Sequence, residues 1–384
     1  MNRSALLAPL AALAVGLTCT AAPAAAAPRE VEVTRAGAAA VRGDYVVTLR
    51  EGADPRGLAR ALQASPRHVY TSALHGFAAT LTDGQVRALQ RDASVVAIEE
   101  DQRAVADAVQ STPAGLHGLD RIDQRALPLS GTYTSTTTGA GVTAYVVDTG
   151  IDTSHRDFGG RARNVYDALG GDGRDCNGHG THVAGTIGGA THGVAKGVQL
   201  RGVRVLGCDG SGTTSGIIAA LDWVRANHVK PAVANLSLGG GYSAAQNAAV
   251  TSLVNAGVAT AVAAGNENRD ACRVSPASAA GVVTVAATDR TDTRASFSNH
   301  GSCVETYAPG VDVTSTWLGG ATRTISGTSM ASPHVAGVMA LHKGANGDAP
   351  SATVSGWVVS NATPGVVRAN PGSTPNRLLF TSTP

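Results

Sequence analysis

The chain has 384 residues, of which 43% are hydrophobic and 15% are charged, and its formal net charge at pH 7 is +2. The apolar content supports a sizeable core, which excludes a disordered chain, and the weak net charge gives no indication of a nucleic-acid partner. The 47 glycines predict many tight turns.

Residues 1–27 have the pattern of a cleavable export signal. Arg3 supplies a positive charge, residues 5–17 form an apolar run, and small residues with A-x-A cleavage options follow at 21–27. The apolar run is shorter than the roughly 18 residues of a membrane span. We therefore expect a secreted protein with no membrane association after cleavage. A retained anchor and a lipid attached to Cys19 are the alternatives.

Residues 44–103 predict a small α+β domain. Strands are predicted at 44–49, within 69–81 and at 95–98, and helices at 55–62 and from Thr82. Thr82 and Gln85 have the spacing of a capping box. The order β-α-β-β-α-β is that of a ferredoxin-like fold, which by itself implies no function.

Residues 108–384 alternate between strand and helix patterns. Strands are predicted at 142–147, 199–206, 232–236, 258–263 and 282–286, and helices at 214–227 and 243–255. This alternation predicts an α/β fold with a mostly parallel sheet and helices on both faces. Functional groups of such sheets gather beyond the carboxyl ends of the strands.

Three short motifs contain reactive side chains. Asp148 directly follows a predicted buried strand. His179 lies in a glycine-rich motif at the start of a helix, whereas His182 is expected to face the interior. Ser329 lies in the first turn of a helix, where unpaired N–H groups and partial positive charge favour an oxyanion. Taken singly, they have ordinary interpretations as a turn aspartate, a structural histidine and a helix-capping serine.

Taken together, the three residues predict nucleophilic catalysis. A serine becomes a nucleophile when a base removes its proton, and the base needs an orienting carboxylate. Asp148, His179 and Ser329 also occur in the chain order of subtilisin. Through DTG at Asp148, HGTHVAG at His179 and GTSMASPHVAG at Ser329, residues 118–380 resemble the subtilase family, in its proteinase K-like branch and closest to the aqualysin type. The resemblance implies a subtilisin-like fold and serine endopeptidase activity.

The resemblance also implies further site residues. Asn266 would donate its side-chain N–H to the oxyanion, together with the backbone N–H of Ser329. An extended peptide would add as a strand between two segments, and the S1 wall would come from a third. These residues are Gly210, Ser211, Gly212, Ser237, Leu238 and Gly239 for the peptide, and Ala263, Ala264 and Gly265 for S1. We expect broad specificity with apolar or aromatic P1 residues, and some basic P1 admitted by Glu267.

Four cysteines remain after removal of the signal, and they allow three pairings. A zinc site at Cys176 and His179 is a weaker alternative. The resemblance implies the disulfides Cys176–Cys208 and Cys272–Cys303.

The resemblance further implies structural calcium. The first set of ligands would be the carbonyls of Ala280 and Val282 and the carboxylate of Glu305, where relatives usually have Asp. A second set, equally well interpreted as a plain polar turn, consists of Asp120, Asp123, Gln124, Ser130 and Thr132.

Residues 28–107, with a core at 44–103, resemble an inhibitor-type propeptide. Its tail would stay in the active site until it is cut between Val105 and Gln110, which separates it from a peptidase domain at 108–384. The expected partners are protein or peptide substrates and the chain's own propeptide, and the expected state is a monomer. A metal-dependent hydrolase using Asp148, His179 and His182, and an inactive binding protein, are the alternatives.

Overall fold

The computed structural model describes residues 30–37, 40–106, 109–110 and 116–381, and for 103–106 and 109–110 the backbone alone. The predicted export signal lies outside the described residues. Among the helices of the described part, none has the length and apolar character needed to span a bilayer.

The N-terminal unit begins with a two-residue strand that was not predicted and then has the predicted β-α-β-β-α-β order. Its elements are β1 (Val33–Thr34), β2 (Ala40–Leu49), α1 (Pro55–Ala61), β3 (Pro66–Tyr70), β4 (Gly76–Thr80), α2 (Asp83–Gln90) and β5 (Val95–Ala106). Thr82 is the N-cap of α2 and forms the expected capping box with Gln85. The predicted ferredoxin-like arrangement is confirmed.

The last strand of this unit is longer than predicted. The pattern gave residues 95–98, but β5 continues to Ala106. Its first part pairs with β2, and its last residues pair with strands of the second unit. The additional length of β5 is therefore due to these long-range pairings, because the sequence has no local apolar pattern there.

The second unit has the elements β6 (Val109–Gln110), α3 (His117–Ile122), β7 (Thr143–Asp148), β8 (Ala162–Asp167), α4 (His179–Gly188), β9 (Gln199–Arg204), β10 (Ser211–Thr213), α5 (Thr214–Asn227), β11 (Ala232–Leu236), β12 (Leu238–Gly241), α6 (Ala244–Asn255), β13 (Ala259–Ala263), β14 (Val274–Ser275), β15 (Val283–Thr288), β16 (Thr306–Pro309), β17 (Val313–Thr316), β18 (Thr322–Ser326), α7 (Thr328–Asn346), α8 (Ser351–Asn361), β19 (Thr363–Pro364) and β20 (Arg377–Leu378). It is built on a nine-stranded sheet with the order β19-β20-β16-β15-β13-β11-β7-β9-β8. All neighbours in this sheet are parallel except β19 and β20.

Helices cover both faces of this sheet, as predicted. In β7, Ala144 and Val146 join the core under α4, α7 and α8, whereas Tyr145 and Val147 join the core under α5 and α6. Every residue of β7 is buried, because successive side chains of the strand enter opposite cores.

The N-terminal unit packs against α5 and α6. Val46 and Tyr70 belong to the same apolar cluster as these helices, whereas Val47 and Phe77 belong to a separate core of the N-terminal unit. The alternation in β2 therefore places one face of the N-terminal sheet on its own helices and the other on the second unit.

Candidate active site

Asp148 and His179 form a buried pair at the carboxyl edge of the sheet. Asp148 is the last residue of β7 and His179 the first residue of α4. Asp148 Oδ1 lies 2.7 Å from His179 Nδ1 and also accepts the backbone N–H of Thr149 at 2.7 Å. Asp148 is fully buried. A carboxylate in this position fixes the ring orientation of the histidine and leaves Nε2 for proton transfer.

Ser329 lies at the same edge, in the first turn of α7. Its Oγ donates a hydrogen bond to the carbonyl of Ser237 at 3.2 Å, and Ser237 Oγ donates to the Ser329 carbonyl at 2.8 Å. Ser237 follows β11, which pairs in parallel with β7 and ends beside it. The parallel register therefore brings the serine to the strand ends that contain Asp148.

Asn266 supplies a buried donor beside this helix terminus. Its Oδ1 accepts the backbone N–H of Thr328 at 2.9 Å and the Thr328 hydroxyl at 3.0 Å. Its Nδ2 is buried and has no hydrogen-bond partner among the described residues. A buried amide without a partner costs free energy unless a ligand accepts its hydrogen bond. A tetrahedral oxyanion formed at Ser329 is such an acceptor.

His182 is turned away from this group, as the sequence predicts. Its ring is fully buried, and Nε2 lies 3.1 Å from both the Val313 and Arg323 carbonyls. Burial lowers the pKa of His182 to about 3, so the ring is neutral. In the described part of the chain, no three His, Cys, Asp or Glu side chains converge as metal ligands. The side chains of Asp148, His179 and His182 therefore do not form one set of metal ligands.

The cleft beside these residues contains the end of β5. Gly212 pairs with Ala104 on one edge of the strand, and Gly239 pairs with Val105 on the other. The predicted peptide segments therefore lie on both sides of an extended chain, and that chain is the protein's own. Along β12 the register advances from Gly239 with Val105 to Leu238 with Ala106, toward Ser237.

Two carboxylates of β5 lie at the N-termini of α5 and α6. Glu99 accepts the Ser243 hydroxyl and the Ala245 N–H, both at 2.7 Å. Asp101 accepts the Ser215 N–H at 2.9 Å and the Ser215 hydroxyl. Burial raises the pKa of Glu99 and of Asp101, although these hydrogen bonds oppose the shift. The sequence prediction missed these roles, and the signal was the two-residue spacing that puts both side chains on one face of a strand.

A third contact joins the loop after β3 to α5. The carboxylate of Asp222 accepts the backbone N–H groups of Thr71, Ser72 and Ala73. Arg225 also donates to the Ser72 hydroxyl at 2.7 Å. No local sequence pattern indicates this contact, since the partners are about 150 residues apart in the chain.

The cysteines form the two disulfides that the resemblance implies, Cys176–Cys208 and Cys272–Cys303. Since Cys176 is bonded to another cysteine, it is not available as a zinc ligand beside His179.

The residues of the first predicted calcium set lie before the neighbouring parallel strands β15 and β16. Ala280 and Val282 flank a turn before β15, and Glu305 immediately precedes β16 and accepts the Thr284 N–H at 2.6 Å. Burial raises the pKa of Glu305 to about 7. Two carbonyls and a carboxylate are oxygen donors of the kind that calcium binds, and this site also stays a prediction.

The second set lies around one turn. Asp120 Oδ1 accepts the N–H and hydroxyl of Ser130 at 3.0 and 2.9 Å, and Gln124 Oε1 accepts the same N–H at 2.9 Å. Thr132 Oγ1 lies 2.8 Å from the Ser130 hydroxyl, whereas Asp123 accepts the N–H of Thr134. The oxygens suit calcium, and they also complete a polar turn, so this site stays a prediction.

Comparisons with known proteins agree with this geometry. A model of the subtilase family matches residues 139–378, and a model of the peptidase inhibitor I9 family matches residues 49–105. The chain is 50% identical over 402 aligned residues to the extracellular serine proteinase of Thermus sp. (strain Rt41A), covering 97% of this chain and 98% of that protein. It is 46% identical over 305 residues to proteinase R of Parengyodontium album, covering 77% and 78%. A crystal structure of a cold adapted subtilisin-like serine proteinase aligns with a TM-score of 0.69 and 52% identity, covering 70% of this chain and 98% of that chain. The chain therefore belongs to the subtilase family.

Proposed function

We propose that the chain is the precursor of a secreted serine endopeptidase in which Asp148, His179, Ser329 and Asn266 carry the reaction. The observation that carries this proposal is the end of β5, held as an added strand between β10 and β12 and directed toward Ser329. A cleft that pairs with backbone on both edges binds peptides. The paired Asp148 and His179 supply the chemistry at its end.

The reaction follows from the positions of these groups. His179 Nε2 takes the proton of Ser329 Oγ as the oxygen attacks the peptide carbonyl, while Asp148 holds Nδ1–H and stabilises the imidazolium. The carbonyl oxygen becomes an oxyanion and accepts a hydrogen bond from Asn266 Nδ2. His179 then gives the proton to the leaving amine as the C–N bond breaks. Water then attacks the acyl-enzyme while His179 takes its proton. His179 returns a proton to Ser329 Oγ as the acyl C–O bond breaks and the acid is released.

Specificity follows from how the substrate is held. Backbone pairing reads little side-chain identity, so broad specificity is expected. The S1 wall of Ala263, Ala264 and Gly265 supplies small, uncharged groups and favours apolar or aromatic P1 residues. Glu267 at the rim is paired with Arg269 at 3.3 Å, and this pairing leaves its charge only a modest influence on P1.

The chain is divided into an export signal at 1–27, a propeptide at 28–107 and a peptidase domain at 108–384. Processing is expected between Ala106 and Val109, because the chain pairs with β12 up to Ala106 and with β18 from Val109. This interval is narrower than the sequence-based one. N-terminal sequencing and the intact mass of the mature enzyme test it, and a start outside residues 107–109 contradicts it.

The propeptide is expected to act as an intramolecular inhibitor. Ser329 is fully buried while β5 occupies the cleft. The mature enzyme is expected to be a secreted monomer that acts on proteins and peptides and binds structural calcium through Ala280, Val282 and Glu305.

Labelling with a fluorophosphonate tests the catalytic assignment. The wild-type enzyme is expected to be labelled and to hydrolyse casein, whereas Ser329→Ala is expected to remain an unlabelled, uncut precursor. Loss of such a nucleophile lowers turnover by about 10⁶-fold in a characterised member of this family. An unlabelled and inactive wild type, or a labelled Ser329→Ala, would refute the proposal. A metal-dependent hydrolase would instead be inhibited by chelators and not by the phosphonate.

A further inference from the structure

Asn299 is a fully buried residue in the loop between β15 and β16, and it takes no part in the chemistry described above. We propose that Asn299 is a positioning residue for Asn266, because its hydrogen bonds hold the oxyanion loop, residues 264–269. This inference rests on the proposed role of Asn266 as the oxyanion donor.

The side chain of Asn299 is committed to this loop. Its Oδ1 accepts the N–H groups of Glu267 and Arg269 at 3.1 and 2.9 Å. Its Nδ2 donates to the Ala264 carbonyl at 2.8 Å and to the Glu267 carboxylate at 2.9 Å. An amide side chain has two donor hydrogens and two acceptor lone pairs, so its full capacity is used on one loop.

The backbone of the same residue adds a fifth contact. The N–H of Asn299 donates to the Gly265 carbonyl at 2.9 Å. Gly265 has a φ of +99°, and a Cβ there would collide with Asn299 Nδ2. The glycine therefore allows the close approach that these hydrogen bonds need.

These contacts bracket Asn266 in sequence. Residues 264 and 265 are held on one side, and Glu267 and Arg269 on the other. The amide of Asn266 is oriented separately by Thr328, which leaves Nδ2 without a partner among the described residues. Asn299 thus fixes the backbone and Thr328 fixes the side chain. Oxyanion donors are effective because they are already in place, and a misplacement of about 1 Å costs about 10²-fold in rate.

The oxyanion loop and the loop between β15 and β16 are also joined by contacts that do not involve the Asn299 side chain. Asn268 N–H donates to the Phe297 carbonyl at 2.8 Å, and His300 N–H donates to the Arg269 carbonyl at 3.0 Å. The Cys272–Cys303 disulfide links the loops just beyond these contacts. Truncation of Asn299 is therefore expected to loosen the oxyanion loop within a folded enzyme.

The test is Asn299→Ala in the full precursor, with active sites counted by fluorophosphonate titration. We expect kcat for a chromogenic peptide with Phe at P1 to fall by about 10- to 100-fold, with KM changed by less than about threefold. The inhibition constant of a peptide boronic acid, which forms a tetrahedral adduct with Ser329, is expected to rise by a similar factor. In an Asn266→Ala background the same change should cost less than about threefold, because its effect passes through the missing donor.

A matched control is Asn376→Ala. Asn376 likewise holds a loop backbone outside the cleft: its Oδ1 accepts the Val367 N–H at 2.9 Å, and its Nδ2 donates to the Val367 carbonyl at 2.8 Å. It is expected to lower thermal stability and to leave kcat unchanged.

Several outcomes overturn the inference. One is a kcat of Asn299→Ala within about twofold of wild type, and another is an equal loss in both backgrounds, which marks a general structural role. Failure of both Asn299→Ala and the milder Asn299→Ser to fold, judged by circular dichroism, also overturns it. If Asn266→Ala itself keeps full kcat, the oxyanion assignment in the proposed function fails instead.

Discussion

The contact between Asp222 and the loop after β3 gives a quantitative prediction about propeptide binding. The Asp222 carboxylate accepts three consecutive backbone N–H groups, one of them from Ala73 at 2.6 Å. A hydrogen bond to a charged group contributes about 1.5–3 kcal/mol. Water can reach part of this loop in the variant, so we take the total loss for Asp222→Ala as about 2–3 kcal/mol. That loss corresponds to a propeptide inhibition constant about 30- to 150-fold weaker.

The assay adds the separately produced propeptide to mature enzyme and follows hydrolysis of a short peptide. Asp222 lies on α5, outside the cleft, so kcat/KM for the short peptide should stay unchanged. Asp222→Asn, which keeps one acceptor oxygen, should give an intermediate inhibition constant. Asp172→Ala removes an exposed carboxylate that accepts the backbone N–H of Arg174 in its own turn, and it is the control. A change of less than about threefold for Asp222→Ala would refute the reasoning, since it is below one hydrogen bond to a charged group.

Three further predictions concern pH, metal and specificity. Burial in the complex raises the pKa values of Glu99 and Asp101 above the value of about 4 that free carboxyl groups have. Binding of the propeptide therefore takes up protons. Propeptide affinity should therefore be strongest at low pH and should fall as pH rises through the raised pKa values. The double variant Glu99→Gln with Asp101→Asn should flatten the dependence of the inhibition constant on pH. A rise in affinity with pH contradicts this reasoning. Chelation of calcium should lower the unfolding midpoint by about 5–10 °C, which is the effect of losing one site at a free calcium concentration of about 100 times its Kd. Glu305→Ala should abolish this response. An unchanged midpoint in the wild type removes the calcium proposal. Arg269→Ala removes the cation that pairs with Glu267, so it should raise kcat/KM for Lys at P1 relative to Phe at P1. The expected increase is about 1.5- to 5-fold, which corresponds to the energy of a surface ion pair. An unchanged ratio on a panel of peptides speaks against this prediction.

The sequence predicts the elements that are defined by local pattern. Helix α5 has the predicted bounds, because a regular apolar stripe and a capping Thr213 define it. The buried strands β7, β11, β13 and β15 were found from their apolar runs, with bounds that differ by one or two residues at most. Strand β8 (Ala162–Asp167) was not predicted, since its polar composition contains no alternating apolar face.

The site divides in the same way. Motifs with fixed spacing indicate Asp148, His179 and Ser329, which the parallel sheet then brings to one edge. Asn299 has no such signal, because its role depends on two loops that meet only in the fold. Hydrogen bonds between distant loops leave no local periodicity to read.

The contacts of β5 connect inhibition with folding. Each helix N-terminus has N–H groups without intrahelical partners, and in this structure Glu99 and Asp101 accept some of them at α6 and α5. The same strand then continues into the cleft and pairs with β10 and β12 on either side. Two helices and two cleft segments from different parts of the chain are thus held in their relative positions by one strand. Cleavage releases the covalent link without removing any of these hydrogen bonds, so the cut propeptide is expected to remain bound until it is itself degraded. Activity should therefore appear with a lag after processing, and the lag should shorten in Glu99→Ala and Asp101→Ala, which remove the oxygens that accept these hydrogen bonds.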